Sequence, residues 1–554
     1  KRGMVVSAHP LASEAGLVVL RQGGNAVDAA VATTLAISVV EPFSAGLGGG
    51  GFLLLRLGQT GEMKALDFRE RAPLTATRTM FLDRQGKVRP RASVDGYLAA
   101  GTPGTMAGLY AVHRQYGKLA WKQVVAPAIR LARDGFPVSW RLSEAIANRQ
   151  VLQKNPAGRQ IFTHGGVPLQ PGELLVQKDL AQTLETLAQS PQNFYTGKIA
   201  AAIANDMAAN GGLITLKDLQ SYRAIWRDPV CGNFQAARIC SMPPPSSGGV
   251  HLLQILNIIG ATDLKAMGWH NPTALHLMVE AMKIAYADRA EYLGDPDFVK
   301  VPVRALMSPI YARQRRQEIN LQKATPSLQV KPGDAKMLQS LMGRGFPVPP
   351  ANLAAIAHAR ESSDTSHLSV VDKTGNAVSL TFTVNLGFGA GVVVPGTGIL
   401  LNNEMDDFAI APNVPNAFGL VGREANAIAP GKTPLSSMTP TIVTENGQLR
   451  LVTGSPGGST IITTVLQVVL NVLVYEMDAR QAIAAPRLHH QWLPDRLRVE
   501  RWGLDPLTLQ DLRRRGQLIE EQDSWGNADA IVRTPDGWLE GAADPRGEGA
   551  AYGY

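Results

Sequence analysis

The stretch Glu361-Ser362-Ser363-Asp364-Thr365-Ser366-His367-Leu368-Ser369-Val370-Val371-Asp372 decides how this chain is organised. Upstream, the run Gly343-Arg344-Gly345-Phe346-Pro347-Val348-Pro349-Pro350 is rich in the residues that interrupt regular structure. Downstream, residues 367–371 have the pattern of a β-strand. A threonine at such a junction lies where a chain can be cut. Cleavage before Thr365 would give it a free α-amine, which is a base near neutral pH.

Outward from this junction, helices and strands are grouped rather than alternating. Before it we predict helices at 14–21, 25–39, 250–259 and 272–292, and a hairpin over 52–68. After it we predict strands at 367–371, 377–384, 439–444 and 449–453, helices at 461–476 and 505–515, and strands near 528–533 and 538–541. Grouped strands and helices favour packed layers over a doubly wound parallel sheet. The expected fold class is therefore α+β.

Composition excludes some classes of function. The 554 residues carry 54 Lys and Arg against 46 Asp and Glu, a net charge of +8. The positive charges are scattered, with the longest basic run at 513–515, whereas nucleic-acid readers concentrate them on one face. The apolar stretch 463–474 is broken by Gln467 and Asn471, which predicts a buried or amphipathic helix rather than a membrane span. We expect neither a nucleic-acid partner nor a membrane span.

Two cysteines occur, Cys231 and Cys240, and the residues between them, 232–235, are typical of a hairpin turn. Facing strand ends can form a disulfide in an oxidising compartment. Two buried thiols are equally compatible with this spacing.

Two motifs suggest cofactors that their context does not support. Residues 46–51 contain the letters of a dinucleotide fingerprint, but they follow a helix and precede a hairpin, the reverse of what that fingerprint requires. We interpret these glycines as sites of close backbone approach. His489 and His490 point apart on any regular element, and no other Cys or His lies at ligand spacing. We expect no metal and no cofactor.

Two loops and one arginine offer groups suited to acyl transfer. Residues 454–459 lie between a strand and a helix, where glycine N–H groups can stabilise a developing oxyanion. Residues 402–407 gather amides and carboxylates. With Arg69, this loop offers what a zwitterionic amino-acid end needs, because arginine pairs with carboxylates and acids pair with ammonium groups.

Together these motifs resemble the γ-glutamyltransferases (γ-glutamyltranspeptidases) of bacterial type, which are N-terminal nucleophile hydrolases. The resemblance runs nearly end to end. It is carried by residues 24–30, 47–52, 67–70, 101–105, 242–249, 286–289, 365–367, 401–408, 434–438, 453–458 and 489–491. It implies a four-layer αββα sandwich. It also implies autocatalytic cleavage between Asp364 and Thr365 into a large subunit, 1–364, and a small subunit, 365–554. The two would form one intertwined heterodimer, with 331–364 as a flexible linker before cleavage.

The resemblance implies roles for individual residues. Thr365 would be the nucleophile and would form a γ-glutamyl acyl-enzyme, Thr383 would orient it, and Gly457 and Gly458 would form the oxyanion hole. Six residues would bind the donor: Arg69, Ser436 and Ser437 its α-carboxylate, and Asn385, Glu404 and Asp407 its α-ammonium.

The implied activity is γ-glutamyl transfer from glutathione, glutamine and similar donors to amino acids, peptides or water. A glutaryl or cephalosporin acylase of the same fold and an inactive amino-acid-binding homologue are the alternatives. We expect a periplasmic or secreted protein from which a leader peptide has been removed.

Two positions depart from the pattern of the family. Phe418 stands where bacterial relatives with a lid loop often carry tyrosine, so its missing hydroxyl would loosen the lid. Leu386-Gly387 stands where many relatives have small hydroxyl residues, so the resemblance does not determine the acceptor side.

Overall fold

Two antiparallel β-sheets and the helices that cover them make up the fold of this computed structural model, which describes residues 2–342, 364–411 and 414–554. The larger sheet has the strand order β22-β1-β11-β12-β2-β3-β8, and the smaller one has the order β21-β20-β16-β15-β10-β9.

The strands of the described residues are β1 (Met4–Ser7), β2 (Gly50–Arg56), β3 (Met63–Asp67), β4 (Phe136–Pro137), β5 (Thr163–His164), β6 (Val167–Pro168), β7 (Leu174–Leu175), β8 (Ile225–Arg227), β9 (Val230–Phe234), β10 (Ala237–Ser241), β11 (Ser366–Val371), β12 (Ala377–Thr383), β13 (Val393–Val394), β14 (Ile399–Leu400), β15 (Thr441–Glu445), β16 (Gln448–Gly454), β17 (Leu488–His489), β18 (Leu497–Glu500), β19 (Ile519–Gln522), β20 (Asp529–Arg533), β21 (Leu539–Ala543) and β22 (Ala550–Gly553).

The α-helices over the same ranges are α1 (Pro10–Arg21), α2 (Ala26–Val40), α3 (Thr105–Tyr116), α4 (Trp121–Asp134), α5 (Trp140–Asn148), α6 (Gln150–Lys154), α7 (Pro156–Phe162), α8 (Lys178–Gln189), α9 (Asn193–Thr196), α10 (Lys198–Ala209), α11 (Leu216–Ser221), α12 (Gly248–Ile259), α13 (Leu264–Met267), α14 (Pro272–Tyr292), α15 (Val303–Leu306), α16 (Pro309–Gln317), α17 (Ala335–Met342), α18 (Ile461–Leu473), α19 (Ala479–Ala484) and α20 (Pro506–Arg514). Short 3-10 helices cover Tyr97–Ala99, Ser327–Gln329, Glu404–Asp407, Glu424–Asn426 and Gly458–Thr460.

Alternating side chains of the larger sheet enter two different cores, which defines the layers. Phe52 and Leu54 of β2 pack into a core shared with the smaller sheet and with α12, α14 and α18. Leu53 and Leu55 of the same strand pack on the opposite face, against α1 and α2. Because successive side chains on a strand point to opposite faces, one buried strand serves both cores. The order of layers is helix, sheet, sheet, helix, and the predicted α+β sandwich is confirmed.

Strands from before and after Thr365 lie side by side in both sheets. In the larger sheet, β11 lies between β1 and β12, and β12 pairs with β2. In the smaller sheet, β10 pairs with β15. The end of the chain returns to its beginning, where β22 pairs with β1.

The glycines of the run 46–51 bring backbones together next to the end of β12. A methyl group added at Gly49 would lie 1.9 Å from the carbonyl oxygen of Thr383, and one added at Gly51 would lie 2.4 Å from that of Thr381. No side chain fits at such distances, so glycine is required for this contact. The run follows α2 and continues into the first two residues of β2, which agrees with the predicted order of helix, glycines and hairpin.

The two cysteines lie directly opposite each other on β9 and β10 and form a disulfide. Their Cα atoms are 4.1 Å apart, and β9 is an edge strand, so the bond fastens the edge of the smaller sheet. The strands extend through Phe234 and resume at Ala237, so the turn is shorter than the predicted 232–235.

Three further predictions concern the linker, a membrane span and the two adjacent histidines. The expected linker 331–364 contains α17, whose Leu338 is fully buried, and the rest of that prediction, 343–363, lies outside the described residues. Within the described ranges, no helix is both long and apolar enough to cross a membrane. His489 is bonded to Thr463, at 2.7 Å from Nδ1, and His490 lies 3.2 Å from Asp495.

Candidate active site

Thr365 immediately precedes β11, and Thr383 ends the neighbouring strand β12. The antiparallel register pairs Ser366 with Phe382. The two threonines therefore lie side by side where β11 begins and β12 ends. Their hydroxyl oxygens are 3.0 Å apart. Both residues are buried, Thr365 to 7% exposure.

The hydroxyl of Thr383 has three neighbours, which fix the direction of its hydrogen bonds. The backbone N–H of Asn385 donates to it at 2.8 Å, and it donates to the carbonyl oxygen of Asp364 at 3.2 Å. A hydroxyl has one proton and two lone pairs. The remaining lone pair is therefore available to accept the proton of the Thr365 hydroxyl. With its proton donated to Thr383, Thr365 Oγ1 keeps its own lone pairs available. The Thr383 hydroxyl also donates to the carbonyl oxygen of Asp364, which belongs to the peptide bond before Thr365.

A small cavity of about 20 Å³ lies beside Thr365 and Thr383. The predicted site residues that line it are Thr365, Thr383, Arg69, Asn385, Glu404, Asp407, Phe418, Ser436, Ser437 and Gly458. A cavity of this size holds about one water molecule. The pocket of the uncut chain is therefore too small to hold a substrate.

Arg69 is held by the acidic loop that follows β14. Its Nη1 lies 2.6 Å from Glu404 Oε1, and its Nη2 lies 2.5 Å from Asp407 Oδ2. Its Nε donates to the carbonyl of Pro434 at 2.9 Å. The side chain is 1% exposed, so its charge is balanced inside the protein by these two carboxylates.

Glu70 and Glu404 form a carboxyl pair next to Arg69. Burial raises the pKa of Glu404 well above its usual range and raises that of Glu70 to about 7, because little water is left to solvate two negative charges. Both oxygens of Glu70 and Oε2 of Glu404 lack a hydrogen-bond donor among the described residues. A proton shared between the two carboxyls joins Glu404 Oε2 to one oxygen of Glu70 and leaves the pair with one negative charge.

Arg289, on α14, is a second guanidinium in the same cavity. Its Nε donates to Ser247 Oγ at 3.0 Å and its Nη2 to Ser437 Oγ at 3.2 Å. Burial lowers the pKa of Arg289 to about 10. In the described part of the chain no carboxylate forms an ion pair with Arg289, although the charge of Asp407 acts on it, and the guanidinium lines the cavity.

The charges around the cavity match those of a free amino-acid end. Arg69 and Arg289 contribute two positive charges, and Asp407 and the Glu70–Glu404 pair contribute two negative charges. The side with Arg289, Ser436 and Ser437 favours an anion, and the side with Asp407 and Glu404 favours a cation. This polarity is complementary to an α-carboxylate and an α-ammonium carried on one carbon.

Phe418 closes the cavity on the side of the glycine turn. A methyl group added at Gly458 would lie 2.4 Å from the ring of Phe418, so the ring rests on that glycine. Asn416, just before it, donates to Asp407 Oδ1 at 3.2 Å, and the N–H of Ala417 donates to Asp406 Oδ2 at 2.8 Å. The segment carrying Phe418 is therefore bonded to the acidic loop.

The structure brings together nearly all of the residues predicted from the sequence. Gly457 is the one predicted oxyanion residue that does not line the cavity, and its carbonyl accepts from the N–H of Thr460 at 2.9 Å. Glu70 and Arg289 were missed by sequence reasoning, although both lie in motifs quoted for the family. Their signal was a charged residue directly beside another one in the same motif, Glu70 beside Arg69 and Arg289 beside Asp288.

A wide, open cleft of about 910 Å³ lies on the other side of Thr365. The cleft and the small cavity are lined by residues that are adjacent in the chain. The cleft is lined by Asp364, Leu386, Asp406 and Ala417, and one sequence neighbour of each lines the cavity. The pair Leu386-Gly387, which the sequence associates with the acceptor side, lies in this cleft.

Comparisons with known proteins agree with this geometry. A sequence model of the family described as gamma-glutamyltranspeptidase matches residues 12–554. The chain is 48% identical over 549 residues to a glutathione hydrolase proenzyme of Escherichia coli (strain K12), covering 99% of this chain and 90% of that protein. Among solved structures, a cephalosporin acylase from Bacillus halodurans has a TM-score of 0.85 at 30% identity, covering 100% of this chain and 96% of that one. The γ-glutamyltranspeptidase of Helicobacter pylori has a TM-score of 0.59 at 48% identity, covering 60% of this chain and 96% of that one.

Proposed function

Since the chain belongs to the γ-glutamyltranspeptidase family, we propose that it cleaves itself before Thr365 and then transfers γ-glutamyl groups through that residue. The observation that carries the proposal is the contact of Thr383 Oγ1 with both Thr365 Oγ1 and the Asp364 carbonyl oxygen. A nucleophile, an orienting hydroxyl and the carbonyl to be attacked lie together in the uncut chain.

Cleavage begins when Thr365 Oγ1 adds to the carbonyl carbon of Asp364. The hydroxyl of Thr383 stabilises the negative charge that develops on the carbonyl oxygen. The C–N bond then breaks, the proton of the Thr365 hydroxyl passes to the nitrogen, and Asp364 is left as an ester of Thr365. Water hydrolyses the ester and produces fragments 1–364 and 365–554.

Catalysis uses the same hydroxyl together with the freed amine. The amine takes the proton of Thr365 Oγ1, which attacks the γ-carbonyl carbon of the donor, and the donor's amine leaves with that proton. The γ-glutamyl ester that results is attacked by water or by the amine of an acceptor, and Thr365 Oγ1 recovers a proton. In this proposal the backbone N–H groups of Gly457 and Gly458 donate to the oxyanion.

The charges of the cavity select the donor. The α-carboxylate would lie against Arg69, Arg289 and the serines, and the α-ammonium against Asp407, Glu404 and Asn385. A glutaryl chain has no ammonium group and would leave the acids unpaired, which is costly in a buried site. Glutathione, glutamine and related γ-glutamyl compounds therefore fit better than the glutaryl side chains on which an acylase acts.

We place the protein in the periplasm or outside the cell. The Cys231–Cys240 disulfide supports this assignment, because disulfides persist in oxidising compartments.

The test combines fragment analysis with two chromogenic substrates. Purified protein should give a small fragment whose N-terminal sequence is Thr-Ser-His-Leu, and it should release the chromogenic aniline from a γ-glutamyl anilide but not from a glutaryl anilide. The Thr365→Ala variant should remain full length and inactive. Activity without that N-terminus, or preference for the glutaryl substrate, would contradict the proposal.

A further inference from the structure

The side chain of Asp364 occupies an anion site in the open cleft. A methyl group added at Gly387 would lie 3.1 Å from Asp364 Oδ2, so the carboxylate lies against the backbone of that glycine. The Gly387 N–H, Arg141 and Arg149 all favour its charged form, although burial is stronger and raises the pKa of Asp364 to about 6. The carboxylate thus accepts from one backbone N–H, and the charges of two guanidinium groups act on it through space.

Arg149 is built into this site and has a donor to spare. Its Nη1 lies 3.0 Å from Asp95 Oδ1, and its Nη2 donates to the carbonyl of Gly389 at 2.6 Å. Its Nε is buried and has no hydrogen-bond partner among the described residues. Asp364 does not bond this atom, so it acts on Arg149 through its charge alone, and the unpartnered N–H is a cost that the uncut chain carries.

The charge of the cleft becomes more positive when Asp364 leaves. Its charged lining consists of Arg89, Arg91, Arg141, Arg149, Glu144, Asp364 and Asp406. The charge of Glu41 also acts on Arg141, and the backbone N–H of Arg141 lies 3.4 Å from Glu548. The charge of Asp364 acts on Arg141 and Arg149, so its departure leaves these two arginines with one acidic neighbour fewer, and the emptied position attracts an anion.

The location of the site in the cleft identifies that anion. Asp364 is on the acyl side of the bond to be cut, but its side chain lies in the cleft, whereas the small cavity would hold the γ-glutamyl chain. The side chain of Asp364 is a few covalent bonds from the carbonyl carbon that Thr365 attacks. In the acyl-enzyme, the γ-carbonyl carbon of the donor replaces that carbon on Thr365 Oγ1. An amino acid or dipeptide whose amine attacks there from the cleft carries its own carboxylate a few bonds away. By microscopic reversibility, the amine that leaves the donor occupies the same place.

We propose that the Asp364 carboxylate holds, in the uncut chain, the subsite that later binds the carboxylate of the acceptor and of the leaving amine, formed by Arg149, Arg141 and the N–H of Gly387. This inference rests on the proposed function, because cleavage must free the site. The occupant is a small peptide or amino acid with a free C-terminal carboxylate.

The test compares acceptors that differ only in that carboxylate. With a γ-glutamyl anilide as donor, the KM of processed wild-type enzyme for glycylglycine should be about tenfold to hundredfold lower than for glycylglycinamide, the usual contribution of hydrogen bonds to a charged group. Arg149→Gln and Arg141→Gln should each remove most of that difference by raising the KM for glycylglycine alone. The two acceptors are compared within each variant, so a general loss of activity, which would lower turnover with both, is distinguished from loss of the subsite.

A matched control and a donor arm complete the design. Arg89→Gln removes a charge from the same cleft, from a side chain that donates to the carbonyl of Met80, and should leave both acceptor constants unchanged. With glutathione as donor, whose leaving dipeptide ends in a carboxylate, Arg149→Gln should raise KM, which separates the leaving amine from the acceptor.

The outcomes distinguish the two proposals. A wild-type enzyme that uses glycylglycinamide as well as glycylglycine overturns the subsite without any variant, and so do arginine variants that keep the full preference. If Arg149→Gln is not processed, Arg149→Lys and the wild-type comparison decide. Wild-type protein that cleaves no γ-glutamyl anilide contradicts the proposed function instead.

Discussion

Replacing Thr383 by valine should slow self-cleavage by about a hundredfold to a thousandfold. Valine keeps the shape of the side chain but removes the hydroxyl that donates to the Asp364 carbonyl and accepts from Thr365. Loss of one donor to a developing oxyanion costs about 10²–10³ in rate. The variant also strands the buried N–H of Asn385, which should lower the free energy of unfolding by about 1–3 kcal/mol.

The assay follows the precursor band on denaturing gels after synthesis and fits a first-order rate. Thr383→Ser is the matched control, since it keeps the hydroxyl, and it should stay within about tenfold of wild type. The stability loss is measured by thermal or urea unfolding of Thr365→Ala chains with and without Thr383→Val, where cleavage cannot interfere. A Thr383→Val chain that cleaves at the wild-type rate, or a serine variant as slow as the valine variant, would refute the hydrogen-bond assignment.

Four other predictions use separate features of the molecule. Arg289→Lys should raise the KM for γ-glutamyl donors at least tenfold, yet not for donors whose α-carboxylate is an amide; an equal loss with both would indicate mere disruption of folding. Gly49→Ala should destabilise the protein by about 1–3 kcal/mol or prevent processing, because a methyl group would meet the neighbouring carbonyl 1.9 Å away; normal melting and cleavage would contradict this. Replacing Cys231 and Cys240 by serine should cost at most about 3 kcal/mol in urea unfolding, the loop-closure value for so short a separation, and should leave catalysis intact. In the Thr365→Ala chain, the pKa of Asp364 is raised to about 6, so the folded state binds its proton more tightly than the unfolded state; stability should fall as pH rises from about 4 to 6, and Asp364→Asn should make that fall smaller, leaving the part due to Glu70 and Asp406, whose pKa values are also raised.

The sequence predicts the helices with strong end signals better than the charged interior. Helix α14 begins where Asn271 caps it and Pro272 occupies its first turn, and it ends at Tyr292, as expected from the pattern. Helix α18 ends at Leu473, three residues before the predicted 476, since no strong stop signal marks that end. Local signals of this kind are independent of the rest of the fold.

The proposed role of Thr365 was predictable because a motif and a junction coincide at that residue. The roles of Glu70 and Arg289 were not, because they depend on which side chains meet across the two sheets. Arg289 is on a helix far from Thr365 in sequence, and only the packing of α14 brings it to Ser437. The anion site around Asp364 likewise joins Arg149 to Gly387, which periodicity and spacing do not relate.

The shared sheets make the proposed cut a one-way event. Before cleavage, folding is an intramolecular process, with β1 and β11 brought together by a continuous chain. After cleavage the same ladder must re-form from two molecules, so recovery from denaturation becomes dependent on concentration. The mature enzyme would therefore owe its persistence to slow unfolding rather than to reversible folding, and its lifetime under heat would be a kinetic quantity. Refolding the two fragments at high dilution should then fail under conditions in which the uncut Thr365→Ala chain recovers.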